Sequence, residues 1–508
     1  QRRRLGLSRF LKYIRRVRQQ PATLEAGQVP LVDKEFYQEV RGDLLFGAGN
    51  QLAKLIQAKD VSPVAVAEAF IERTDATEPQ LNAWITLLPD ETRAAAKRAE
   101  TEIAVGNYKG PLHGIPVGLK DLFWTKGVRT TSGSAITKDF VPSEDATVVT
   151  KLQEAGAYAF GKTNMVEYAY GGTEHNDLYG APRNPWELDH VTGGSSSGSA
   201  AAVAAGQVPI ALGSDTAGSV RAPAALCGLA GHKPTYGLIS RFGVSPLSWS
   251  MDHVGPLAHT VEDVAIAMNV MVGYDPRDPG SANHPPEDYV AALRFDLSGL
   301  RIGVLEDDFI WDVTVPEVKV AFEGAVAQLT LLGAAAEGVS VGNLDRIAAA
   351  QFTITTAEAN TYHHEMIQRA PELYHPVVRR RIEAGFFLPA AAYVQAQRVR
   401  ATFDQRYNSL FETFDLLVGP TTPSPAPATS GTNVRLPNGE MPSRETVRLT
   451  RVFNANGLPA ISVPCGFSDD GLPMALQFVG KRFSDATVIG AAHAYEQSTD
   501  WHKRRPTL

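Results

Sequence analysis

Residues 193–206 read GGSSSGSAAAVAAG. A cluster of serines between glycines runs without a break into a string of alanines. Alanine loses least on entering a helix, so the string reads as helix and the Gly/Ser cluster as its start. Two readings of the serines compete. In the first they cap the helix, because a serine hydroxyl accepts hydrogen bonds from the first free N–H groups. In the second they do chemistry. A glycine-rich loop at a helix start can cradle an anion, and a serine held there can attack a carbonyl or pass on a proton. A nucleotide phosphate loop needs Lys followed by Ser or Thr after its second glycine. Here Ser199 and Ala200 follow Gly198, so that reading fails. The stretch alone leaves capping and catalysis open.

Outward from this stretch, strand and helix signals alternate. Short apolar runs at 114–121 (GIPVGLKD), 158–164 (YAFGKTN), 208–215 (VPIALGSD), 300–307 (LRIGVLED), 414–420 (FDLLVGP) and 460–467 (AISVPCGF) read as strands. Apolar residues at three- and four-residue spacing predict helices over 49–60, 62–79, 91–106, 147–157, 260–273, 315–334 and 484–501. The alternation predicts an α/β fold with a sheet covered on both faces. No fixed-period repeat interrupts it. The proline-rich GPTTPSPAPATSGT at 419–432 reads as a surface loop inside one large domain.

The chain has 508 residues, 44% of them hydrophobic and 20% charged, with a formal net charge of −7. That balance suits a large buried core and gives no basic excess, so no nucleic-acid partner is expected. Cys227 and Cys465 are too few for a disulfide framework or a zinc site. No metal and no cofactor are expected, and a cytoplasmic location is. No apolar run is long enough to span a bilayer. Residues 1–20 depart from the balance. Leu7, Phe10, Leu11, Ile14 and Val17 recur at helical spacing, with Arg9, Lys12, Arg15, Arg16 and Arg18 between them. This amphipathic basic helix suits an arm that is solvated or packed on a partner subunit, then an anionic membrane surface, and part of a targeting segment is a further reading. No uncharged apolar core follows the arginines, so it does not read as a signal peptide. The expected organisation is a basic extension over 1–40 and a single catalytic domain over 41–508.

Two further segments bear on the serines. Lys120 ends an apolar strand beside Asp121. Such a lysine usually reaches to the surface, but if buried it loses its proton easily and becomes a base. In GSDTAGSVRAPAALCG, Ser219 follows a strand within a turn of small residues. Successive N–H groups there can point at one spot, as an oxyanion hole requires. A helix cap is again the plainer reading of that turn. No histidine offers itself as base. His363 and His364 are adjacent and do not share a helix face, and His175, His190 and His232 read as loop residues without a partner pattern. A serine–lysine arrangement is a known alternative. Lys120, a serine of the 193–199 loop, and Ser219 supply its parts.

These segments resemble the amidase signature enzymes. The likeness lies in GPLHGIPVGLKDLFWTKGVRTTSGS, KTNMVEYAYGGTEHNDLYGAPRNPW, VTGGSSSGSAAAVAAGQVPIALGSDTAGSVRAPAALCGLAGHKPTYG and SRFGVSPLSWSMDHVGPLAHTVED. It continues in GLPAISVPCGF and GLPMALQFVG, and runs from about Leu44 to the C-terminus. The resemblance implies a three-layer α/β/α fold with a large central mixed sheet. It implies a Ser–cis-Ser–Lys triad: Lys120 the base, Ser195 the bridging serine on a cis peptide bond, Ser219 the nucleophile. Backbone N–H groups of Thr216, Ala217, Gly218 and Ser219 would hold the oxyanion. Ala169 and Gly171 would line the acyl pocket. Asp215 would brace the nucleophile turn, and Ser196 would support the relay while the remaining serines cap the helix. Arg221 would support structure. The family often has glycine where this chain has Ser197 and Ala217; the methyl of Ala217 matters only if that residue needs positive φ.

The implied activity is hydrolysis of an amide, and by extension an anilide, carbamate or ester, through an acyl-enzyme. YAYGGTEHNDLYG and AHAYEQSTDWHKRRP look more like the free-standing hydrolases. One alternative is the A subunit of a glutamyl-tRNA amidotransferase, which needs partner subunits and glutamine. Another is a non-catalytic scaffold relative, against which the intact triad speaks. The expected partner is a small-molecule amide, with room left for a homodimer. The aromatic stretch GFFLPAAAYVQ, with Phe386, Phe387 and Tyr393, suggests an aromatic or aliphatic acyl group, or core packing.

Overall fold

The computed structural model describes residues 45, 49–171, 176–430, 433–436 and 439–508. The basic segment 1–20, the boundary at 40/41 and His175 lie outside the described residues.

Each of the six apolar runs contains a strand of one large sheet. In chain order the strands are β1 (Trp84–Leu87), β2 (Pro116–Lys120), β3 (Tyr158–Thr163), β4 (Ile210–Asp215), β5 (Ala230–Lys233), β6 (His253–Ala258), β7 (Arg301–Leu305), β8 (Ala335–Val339) and β9 (Leu416–Pro420). A separate hairpin, β10 (Asn433–Leu436) and β11 (Gly439–Pro442), precedes β12 (Ala460–Phe467) and β13 (Pro473–Gly480). The main sheet has 11 strands in the order β1-β3-β2-β4-β6-β5-β12-β13-β9-β7-β8. β3, β2 and β4 run parallel, as do β9, β7 and β8; the strands between are antiparallel. The sheet is therefore mixed, as expected.

Five strands of this sheet carry no clear signal in the sequence. β6 (HVGPLA) contains Gly and Pro, which are poor in strands, and β8 is a half-exposed edge. Their pairing is set by neighbours in the sheet rather than by local preference.

The helices are α1 (Gly49–Gln57), α2 (Pro63–Leu81), α3 (Pro89–Ala104), α4 (Thr147–Glu154), α5 (Ser197–Ala204), α6 (Arg221–Leu226), α7 (Val261–Met271), α8 (Asp308–Trp311), α9 (Pro316–Leu331), α10 (Leu344–Arg369), α11 (Pro376–Ala384), α12 (Ala390–Thr413), α13 (Arg448–Asn454) and α14 (Asp485–Gln497). The alanine string forms α5, and all eight of its residues are buried. α5 packs against the sheet at β4 and β2. An added Cβ at Gly198 would lie 2.5 Å from the Asn164 nitrogen and 2.3 Å from the Ala83 oxygen, so the helix start touches bare backbone.

The proline-rich segment is not a surface loop over its first half. Residues 421–426 are buried. Thr421 continues the β9 ladder by donating its N–H to Ala475 O at 2.9 Å, and Ala426 joins Val191, Leu226 and Leu472 in a small apolar cluster.

Candidate active site

β2 ends at Lys120 and its parallel neighbour β4 ends at Asp215, so their C-terminal ends lie side by side in the sheet. α5 starts just above. This places Lys120 Nζ 2.7 Å from Ser195 Oγ, 3.0 Å from Ser196 Oγ and 2.9 Å from Ser214 Oγ. Lys120 is fully buried. Burial pushes its ammonium down to about 7, against the opposing pull of the Asp215 and Asp252 carboxylates. The peptide bond between Gly194 and Ser195 is cis.

The serines of residues 195–199 do not cap α5. Ser196 stands at the N-cap position and makes no capping bond, because its hydroxyl is occupied by Lys120 and by the backbone of Ser214. Ser199 turns inward to Thr163 Oγ1 at 2.7 Å and to Leu212 O at 2.9 Å. The hydroxyl of Ser197 is buried and has no hydrogen-bond partner among the described residues.

Ser219 sits in the turn between β4 and α6, tied to the serine loop by the Ser196 N–H, which donates to Ser219 O at 3.3 Å. Among the described residues, no hydrogen bond joins the Ser195 and Ser219 hydroxyls. Nor does any bond within the described residues use the N–H groups of Ala217, Gly218 or Ser219, which leaves those donors free for a ligand. Gly218 has φ +136, while Ala217 keeps negative φ and carries its methyl without strain.

Asp215 holds the turn. Its Oδ2 accepts from the N–H groups of Val220 (3.2 Å) and Arg221 (3.4 Å) and from Arg221 Nε (3.1 Å). Burial alone would raise the Asp215 carboxyl, but the Arg221 guanidinium holds it well below the usual range. Arg221 is itself satisfied by Gln477, Asn454 and the Thr450 carbonyl. Thr216 donates its hydroxyl to Asp252 at 2.6 Å.

A cavity of about 340 Å³ opens over Ser219, lined also by Ala169, Gly171, Thr216 and Ala217. Ala169 adopts φ 58, which turns the chain sharply at the cavity wall. The opposite wall comes from the C-terminal half: Gln351 and Phe352 of α10, Arg381 of α11, and Glu445, Val447 and Arg451 around α13. None of these, nor Ser214, stands out in the sequence, since nothing local marks them.

Phe386, Phe387 and Tyr393 do not line the cavity. Phe386 and Phe387 are 42% and 84% exposed, and Tyr393 donates to Glu358 at 3.3 Å. His232 lies in β5, not a loop, and pairs with Asp485; His363 is buried against the Tyr374 hydroxyl; His190 pairs with Asp189.

The family model for amidases matches residues 65–489. The A subunit of a glutamyl-tRNA(Gln) amidotransferase from Geobacillus kaustophilus (strain HTA426) is 40% identical over 488 residues, covering 90% of this chain and 98% of that protein. A solved chain described as coming from a vestigial protein complex that reveals the origins of an s-triazine catabolic enzyme superposes with TM-score 0.85 at 35% identity, covering 89% of this chain and 98% of its own. A bacterial aryl acylamidase of the amidase signature family superposes with TM-score 0.83 at 29% identity, covering 91% and 99%.

Proposed function

The chain belongs to the amidase signature family, and from that premise we propose that it cleaves an amide carbon–nitrogen bond, with Ser219 as nucleophile, Lys120 as base and Ser195 as the relay between them. The observation that carries this reading is a fully buried lysine facing Ser195, Ser196 and Ser214, next to a turn whose N–H groups are free. A lysine in that setting is neutral for much of the time near pH 7 and accepts a proton. The Ser219 proton passes to Ser195 as Ser195 gives its own to Lys120. Ser219 Oγ attacks the carbonyl carbon, and the oxyanion takes the N–H groups of the 216–219 turn. Ser195 then protonates the leaving nitrogen and recovers its proton from Lys120. Water enters by the reverse path and frees the acid.

Two settings suit this chemistry. The sequence relatives at 40% identity favour the A subunit of an amidotransferase, where the amide is that of glutamine and the released ammonia goes on to partner subunits. The fit to the aryl acylamidase favours a hydrolase acting alone. The intact serine–lysine cluster weighs against a scaffold role.

The test treats the purified chain with an uncharged fluorophosphonate and maps the adduct. Stoichiometric labelling at Ser219 that collapses in Lys120→Ala and Ser195→Ala is expected; no labelling would sink the serine reading. Ammonia release from glutamine only when partner subunits are added would favour the amidotransferase setting. Turnover of simple amides by the chain alone would favour the hydrolase.

A further inference from the structure

A groove of about 530 Å³ lies between α9 and the Phe467 end of β12, away from the chemistry proposed for Ser219. β12 runs opposite to β5, β5 to β6 and β6 to β4, so the Phe467 end of β12 and the Asp215 end of β4 point opposite ways. α9 packs one side on β12 and β13 and turns an apolar ridge outward. Val320 is 68% exposed at the groove, and seven residues past Gly324 the ridge continues to the exposed Leu331. A Cβ on Gly324 would meet nothing within 4 Å, so this face is open. Phe467 and Trp501 form the other wall. Open apolar surface of this kind marks a contact site. The rim is acidic. Glu317 and Asp469 line it, and burial together with Asp469 and Asp470 raises the Glu317 carboxyl. Among the described residues no ion pair engages these three acids, and the cations nearby are held elsewhere. Lys319 lies over the Trp311 ring beside Glu323, Lys503 pairs with Asp500, and Arg504 stacks on Phe467 at 3.8 Å.

An apolar wall with an acidic rim fits a segment that pairs apolar residues at helical spacing with a surplus of cations. Residues 1–20 have that make-up: Leu7, Phe10, Leu11, Ile14 and Val17, with eight Lys and Arg and no acid, in a chain of net charge −7. The chain also reaches the described fold next to the groove. The Asn50 N–H donates to Asp263 at the start of α7 at 2.9 Å, the Val261 N–H donates to Glu496 at 2.9 Å, and Thr499, three residues on, lines the groove. The stretch from Val17 to Asn50 can span on the order of 100 Å when extended, so length is no obstacle. We propose that residues 7–17 dock in this groove of their own chain, with their apolar residues on Val320, Phe467 and Trp501 and their cations at the Glu317 and Asp469 rim. The inference goes beyond the reading of Ser219 and does not depend on it.

The experiment places a photoreactive probe in the arm of the 508-residue chain. Phe10→p-benzoylphenylalanine keeps an aromatic side chain there, and irradiation of the dilute protein is followed by peptide mapping. Links within one chain, to residues 317–328 and to 467–469 or 501, are expected. Val320→Glu puts a charge on the exposed apolar wall and should lower the yield on the order of tenfold. Asp469→Lys reverses the rim charge and should lower it several-fold, by roughly the weight of an exposed ion pair and its repulsive counterpart. Val394→Glu, an equally exposed apolar site on α12, should leave the yield unchanged. Links to another face of the same chain, links between two copies, links that form only with phosphatidylserine vesicles, no links at all, or a yield indifferent to both Val320→Glu and Asp469→Lys would each overturn the proposal.

Discussion

A lysine with no water around it must either find counter-charge or give up its proton. Lys120 has three hydroxyls within reach and no carboxylate in contact, so it gives up its proton at about 7. In the proposed mechanism the neutral form is the base. kcat/KM is therefore expected to fall as pH drops below about 7, roughly tenfold per unit once the lysine is mostly charged. A pH–rate profile flat down to pH 5 would contradict this. Ser197 makes the opposite case. Its hydroxyl is buried and unbonded among the described residues, which costs on the order of 1 kcal/mol. Ser197→Ala should stabilise the fold by about that much in a denaturant titration and leave turnover unchanged. Lys120 and Ser219 stand out in the sequence as a strand end and a turn of small residues, whereas Ser195 is singled out from its loop only by the family resemblance. Ser214 and Arg451 do not stand out, because their surroundings come from strand register and from a helix more than 200 residues away in sequence.

At the scale of elements, the Ser219 turn and α13 fit without slack. A Cβ on Gly218 would fall 2.0 Å from Thr450 Oγ1, at a φ of +136 that only glycine adopts freely. If the N–H groups of this turn hold the oxyanion as proposed, Gly218→Ala should lower kcat/KM on the order of 100-fold by misplacing them. Adding Thr450→Ala removes the contact with Oγ1 but leaves the Cβ of residue 450 at 2.9 Å and the backbone strain in place, so kinetics of the double variant should recover only part of the loss. The strands flanking this turn show in the sequence through unbroken apolar runs bounded by glycine or charge. β5, β6 and β8 do not, since short segments with Gly, Pro or Lys acquire their pairing only from neighbours. The histidine in β5 therefore reads as a loop residue although it is in the sheet, and the aromatics at 386–387, apolar in composition, face outward.

Across the whole molecule, β12 and β13 from the C-terminal end are inserted between β5 and β9, so the sheet joins both halves of the chain. The cavity has one wall from each half, which is why no single motif spells it out. A buried acid also ties distant parts: Glu496 of α14 accepts from the Val261 N–H at the start of α7 at 2.9 Å. Burial pushes its carboxyl up to about 8, whereas an unfolded glutamate titrates near about 4.3. Between those values the folded chain holds the extra proton. The stabilisation is complete below the lower value and is lost as pH rises through about 8. Gln at 496 keeps an acceptor and does not titrate. Relative to Glu496→Gln, the melting temperature of the parent chain should decline from pH 5 to pH 8. Parallel curves would show that the acid is already ionised.

Helix α5 has no side that meets water. Most helices in folded chains trade an apolar face against a polar one, and substitutions on them are sorted by polarity. Here every direction ends in packed atoms, including the bare backbone at Gly198. What a residue weighs in cubic ångströms outranks what it likes to dissolve in. The alanines are there because they are small, and the segment that follows Ser195 and Ser196 is the one with the least spare volume in which its spelling can change.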